Sequence, residues 1–229
     1  LPLAVGAAEV TADGHVIAQP ELLEQFTFPE DWSADALRFC VGNGILKGRT
    51  DGLAPGATIT RAETAAILVR LLGAVSEEPD LSRFADADPA AWYYPEVAAA
   101  VEQGILKGTG PNLLNPDGFV TREQAVVMLS RAFGIHTTDP YLWKTFADGE
   151  NCASYARYAV SALAEHGILR GYPDGTFRPD NLATRAEVAA SLNRVLNRTS
   201  CKVKDTKNFS DNPTTAWYYQ DIVEASIAH

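Results

Sequence analysis

Apolar residues recur along this chain with the period of a helix. Val97, Val101 and Ile105 fall at i, i+4 and i+8, as do Leu37, Val41 and Ile45 before them and Val160, Ala164 and Ile168 after. Each set lines one stripe of a helix. A glycine (Gly44, Gly104, Gly167) stands directly before the last apolar pair, where it weakens the helix and prepares its exit. The segment that follows is turn-rich, most visibly Tyr172-Pro173-Asp174-Gly175-Thr176-Phe177-Arg178-Pro179. A second helix then opens at a threonine. Thr60 with Glu63 and Thr184 with Glu187 form capping boxes, and Thr121 with Gln124 is the neutral version. Apolar runs follow (Ala65 to Val69, Val126 to Leu129), and Gly73 and Gly134 close the first two of these helices.

The helix-loop-helix pattern is an internal repeat. Gly-Ile-Leu recurs at Gly44, Gly104 and Gly167, spacings of 60 and 63 residues, each time followed by a cation and a second glycine (Lys47, Lys107, Arg170). Thr-Arg-x-Glu/Gln returns at Thr60, Thr121 and Thr184. Phe-x-Asp opens the later units as Phe84-Ala85-Asp86 and Phe146-Ala147-Asp148 and reappears at Phe209-Ser210-Asp211, while Trp-Tyr-Tyr stands at Trp92 and Trp217. The divisions expected are an extension over 1–25, units over 26–75, 82–136 and 144–198, and the opening of a fourth over 207–229. Two short helices bury little core alone, so the units are expected to pack on one another.

Composition removes several function classes. The chain has 229 residues, 46% hydrophobic and 21% charged, which is the profile of a globular protein. Its net charge of −10 repels polyphosphate and argues against a nucleic-acid binder. No apolar stretch approaches the roughly 20 residues that a membrane helix needs. The first residues, Leu1 to Ala8, lack a basic start and cannot be a whole signal peptide; they read as the remnant of one or as a mature N-terminus. Three cysteines are too few for a disulfide scaffold, and no C-x-x-C pair suggests zinc. No nucleophile elbow, H-E-x-x-H helix or phosphate loop is present, and neither a catalytic site, a cofactor nor a metal is expected.

The arginine after each capping threonine runs against the helix dipole, which disfavours a cation in the first turn by about 0.3–1 kcal/mol. Arg61, Arg122 and Arg185 nonetheless hold that position in all three units. One reading has each arginine lie over its own capping glutamate or pair with an aspartate of a neighbouring unit. The other has guanidinium and free helix N–H groups converge on a carboxylate or phosphate, with Lys47, Lys107 and Arg170 as a second cation at the loop entrance. Aromatic rings mark the start of the other helix at Trp32, Trp92, Tyr155 and Trp217. They either plug the core or offer a ring face to a sugar.

Together these motifs, in fixed order, resemble the S-layer homology domain in three tandem copies, over roughly residues 26 to 229. The resemblance implies an exported bacterial protein held non-covalently to the cell wall. It implies an all-α, three-lobed, pseudo-threefold arrangement around a central helical bundle, with ligand in the grooves between lobes. It further implies a secondary cell-wall polysaccharide bearing ketal-linked pyruvate, its carboxylate met by Arg61, Arg122 and Arg185. Lys47, Lys107, Arg170, Trp32, Trp92, Tyr155, Asp86, Asp148, Gly44, Gly104 and Gly167 complete the expected site. A second branch of the family implies peptidoglycan decorated with a polyamine, in which the acidic residues matter more, and a third reading is a module that binds other protein copies within a surface layer. A cargo domain belongs to a longer chain in such anchors.

The chain departs from the family pattern in places. Ser33-Ala34 stands where two tyrosines are expected, and the first loop is one residue short, so Arg122 and Arg185 are expected to outweigh Arg61. His229 replaces a glycine, and 207–229 reads as a terminal helix completing the bundle. Export permits disulfides: Cys152 and Cys201 bracket the third unit and are expected to be bridged, whereas Cys40 on the helix face is expected to be a buried free thiol.

Overall fold

The computed structural model describes residues 9–10, 16–50 and 52–196. Within them the chain is helical, as the periodicity predicts: α1 (Ala34–Gly42), α2 (Arg61–Leu72), α3 (Tyr94–Glu102), α4 (Arg122–Phe133), α5 (Arg157–Glu165) and α6 (Arg185–Val195). Short 3-10 turns lie at Pro20–Gln25, Leu142–Thr145 and Gly149–Asn151, and a two-residue antiparallel pair, β1 (Glu9–Val10) with β2 (Val16–Ile17), precedes them. The terminal helix expected over 207–229 lies outside the described residues, as does Cys201 and with it the bridge to Cys152. Cys40 is buried, as expected.

Local chemistry fixes the helix ends. Thr60 Oγ1 accepts from Glu63 N at 3.1 Å while Thr60 N donates to Glu63 Oε2 at 2.9 Å, and the same reciprocal box forms at Thr121 and Thr184. The first helix of each unit ends earlier than its apolar stripe. Gly44, Gly104 and Gly167 adopt φ of +67°, +71° and +69°. The residue after each glycine returns its N–H into the last turn, as Ile45 does to the Cys40 carbonyl at 2.8 Å. Ile45, Ile105 and Ile168 therefore lie beyond the helix, folded back into the core.

The core runs through all units. Leu37, Val97 and Val160 are fully buried at matching positions of the first helices, as are Leu68, Leu129 and Leu192 in the second. Small residues let helices approach closely: Ala62, Ala65 and Ala66 on α2 and Ala98 to Ala100 on α3 are all buried. Each second helix packs against the first helix of the next unit, α2 on α3 and α4 on α5, and α6 packs back on α1.

Closure is completed by the backbone. Ile59 N donates to the Ala183 carbonyl (3.1 Å), Ala183 N to Val120 (3.0 Å) and Val120 N to Ile59 (3.1 Å). Three segments from three units thus bond in a closed cycle, with Ile59 and Val120 wholly buried. The cycle sits just ahead of the three capping threonines, so it sets where the second helices begin and where their arginines start.

Candidate functional site

The N-termini of α2, α4 and α6 do not present free N–H groups, contrary to the sequence expectation. Arg61 N and Ala62 N donate to the carbonyls of Gly118 and Pro116 (2.8 and 2.9 Å), in the loop of the next unit. Arg122 N and Glu123 N meet Asn181 and Pro179, and Arg185 N and Ala186 N meet Ala57 and Pro55. The orphan donors of one unit are consumed by the loop of the next.

The arginine side chains follow the same direction. Arg61 Nε bonds the Leu114 carbonyl at 3.0 Å and Nη2 the Lys107 carbonyl at 2.7 Å. Arg122 Nε reaches Phe177 (3.0 Å) and Nη1 pairs with Glu187 Oε1 at 2.7 Å. Arg185 Nε reaches Leu53, Nη2 reaches Lys47, and Nη1 meets Glu63 Oε1 at 3.1 Å. Arg185 is 2% exposed and Arg61 7%. These arginines are clamps between units: all three hold loop carbonyls of the neighbouring unit, and Arg122 and Arg185 also pair with a glutamate there. Because each reaches forward, the short loop of the first unit receives Arg185; Arg61 enters the loop of the second.

The clamped carbonyl is aimed by an unusual backbone. Ala54, Asn115 and Arg178, each just before a proline, adopt φ of +47°, +54° and +58°. They immediately follow Leu53, Leu114 and Phe177, whose carbonyls hold the arginines. Asp86 supports one such turn, its carboxylate accepting from Leu114 N and Asn115 N (2.9 and 2.7 Å). Asp148 does the same for Phe177 N and Arg178 N. Both aspartates thus hold their own loop, and Gly44, Gly104 and Gly167 serve as helix terminators.

What remains open beside the Arg122 clamp is a groove. Between α4, α6 and the third loop, a groove of about 50 Å³ is lined by Trp32, Arg122, Arg170, Phe177, Glu187 and Arg194. Three residues singled out from sequence (Trp32, Arg122, Arg170) meet there, each from a different unit or loop. Matching positions define two further sets: Arg185, Lys47, Glu63, Arg70 and Trp92, and Arg61, Lys107, Gln124, Arg131 and Tyr155. Arg70 lies 6.0 Å from the Trp92 ring and pairs with Glu96 at 2.8 Å. Lys47, Lys107 and Arg170 are exposed, as are Trp92 and Tyr155, while Trp32 is half-buried.

Sequence reading missed Arg70, Arg131 and Arg194. They recur nine residues after each motif arginine, a signal available in the chain but hidden because a cation in a last turn suits the helix dipole. It also missed the partner of each clamp. Glu63 is half-buried, which alone raises its pKa, yet hydrogen bonds from Arg49 and Thr60 N and the charge of Arg185 hold it below the ordinary carboxylate value. Burial lowers the pKa of Arg61. Burial together with a 2.7 Å hydrogen bond to Glu123 pushes the Tyr155 hydroxyl up to about 12, so it stays protonated.

Comparison with known proteins bears on this arrangement. The S-layer homology domain model matches residues 28–65, 83–126 and 145–189. The chain is similar to the cellulosome-anchoring protein of Acetivibrio thermocellus, 32% identical over 194 residues that make up 81% of this chain and 42% of that protein. It is 29% identical to the S-layer protein sap of Bacillus anthracis over 189 residues, 79% of this chain and 23% of that one. It is 32% identical to an amylopullulanase of Thermoanaerobacterium thermosulfurigenes over 173 residues, 74% of this chain and 9% of that protein. The chain thus spans between 9% and 42% of the length of these relatives.

Proposed function

The chain belongs to the S-layer homology domain family, and from that premise we propose that it anchors a protein to the bacterial cell wall by binding a pyruvylated secondary cell-wall polysaccharide. The family match, with an anchoring protein and an S-layer protein among its relatives, supports cell-surface anchoring and a cell-surface or secreted location. No helix among the described residues is long and apolar enough to cross a membrane.

The observation that carries the finer reading is the groove at Arg122, whose residue set recurs at matching positions of the other two units. Each set joins a clamp arginine, a loop cation and a last-turn arginine to an aromatic ring, within a chain whose net charge is −10. Guanidinium groups and an ammonium offer charge-assisted bonds to a carboxylate, and a ring face offers apolar contact to a sugar. The family match and its anchoring and S-layer relatives support a module that acts by binding. A polyamine ligand fits less well, because Asp86 and Asp148 are already committed to backbone amides.

The test is co-sedimentation with purified bacterial sacculi before and after acid removal of the secondary polysaccharide. Binding is expected to disappear on stripping. Retention would favour peptidoglycan itself, and sedimentation without sacculi would favour self-assembly. Lys47→Ala and Lys107→Ala make a better companion pair than the clamp arginines, because these two side chains are exposed.

A further inference from the structure

The three clamps are not equivalent, and the difference lies in one carboxylate. In two clamps the Nη1 of the arginine meets a glutamate at the third helix position of the next unit: Arg122 with Glu187 and Arg185 with Glu63. In the remaining clamp that position is Gln124, whose Oε1 caps Thr121 N at 3.2 Å. Arg61 is 7% exposed, its Nε and Nη2 hold carbonyls, and no carboxylate among the described residues forms an ion pair with it. The unit's acid has moved one residue back to Glu123. Its carboxylate is spent elsewhere, on Ala153 N at 2.9 Å and the Tyr155 hydroxyl at 2.7 Å. Asp86, the other acid near Arg61, is held by Leu114 N and Asn115 N.

A buried guanidinium without a counter-charge is costly, and a bound anion relieves that cost where an internal one does not already do so. We propose that Arg61, Lys107, Gln124, Arg131 and Tyr155 make the primary site for the ligand's carboxylate, which supplies the counter-charge that Glu187 and Glu63 give to Arg122 and Arg185. The internal glutamates act as tethered competitors, so those two sites take the same ligand more weakly. Gln124 is then the residue that ranks the sites, reversing the order expected from the departures in the first unit. The inference rests on the carboxylate-binding reading and specifies which site serves it.

The experiment is calorimetric titration of the whole chain with a methyl glycoside that carries a ketal-linked pyruvate. The parent protein is expected to show one stronger site. Gln124→Glu should weaken that site by about tenfold or more, while Glu187→Gln should strengthen binding in the groove that contains Trp32. Gln124→Glu reproduces the capping box already present at Glu63 and Glu187, so its thermal melt serves as the check that the fold is kept. Parent and Gln124→Glu binding equally would overturn the ranking and leave the carboxylate reading standing. A parent that fails to bind this probe would overturn both.

Discussion

At the scale of the residue, the clamp arginines are structural before they are anything else. Arg185 at 2% exposure bonds two carbonyls and Glu63 across 122 to 138 residues of sequence. Removing it leaves those acceptors unmet in a buried place, so Arg185→Ala is expected to lower unfolding free energy by about 3 kcal/mol or more. Arg131→Ala, at an exposed groove position, is expected to change it by less than about 0.5 kcal/mol. Chemical denaturation of the two variants checks the contrast, and similar losses would remove the distinction between clamp and groove. Glu63 carries a pH consequence. Its folded pKa lies below its unfolded one, so the stability it confers is present above the ordinary carboxyl pKa of about 4.3 and is lost as pH falls through the folded value. The acid limb of melting temperature against pH should therefore flatten in Glu63→Gln, and an unchanged limb would show that other groups govern it.

At the scale of the element, helix starts and stops were readable in the chain because they depend on neighbours in sequence. The boxes at Thr60, Thr121 and Thr184 and the glycines at 44, 104 and 167 need only a few adjacent residues to act. The left-handed turns at Ala54, Asn115 and Arg178 were not readable, since three unlike side chains share one conformation imposed by what lies across the interface. The same limit hid the direction of the arginines. A helix N-terminus looks like an anion site until the loop that fills it comes from a residue some 55 positions away. Among the caps, Thr184 and Glu187 bond at 3.2 and 2.9 Å, while Thr121 and Gln124 bond at 3.4 and 3.2 Å without charge. Thr184→Ala is expected to cost about 1 kcal/mol and Thr121→Ala a few tenths less. Equilibrium unfolding of both variants would decide it, and a larger loss at Thr121 would contradict the geometry.

At the scale of the molecule, the periodic motifs announced the units, and the cycle of contacts supplies what they could not. Ile59, Val120 and Ala183 each donate to one member of the trio and accept from the other. α6 packs on α1 as α2 packs on α3. No unit keeps its contacts when another is removed, so thermal unfolding is expected as one cooperative transition by both calorimetry and circular dichroism. A fragment ending at residue 136 is expected to lose most of its helix content rather than a third of it. Independent melting of that fragment near the parent temperature would show that the units stand alone.

The cycle also sets a valency. Every donor in it already has its acceptor, and the arginine of the last unit already fills the loop of the first. A stack that grows by adding units at its end always offers the next one a vacant edge; this arrangement offers none. Lengthening such a protein by tandem duplication would therefore yield separate closed beads on a string, and cell-surface anchoring would strengthen by whole beads, through avidity, instead of by single units.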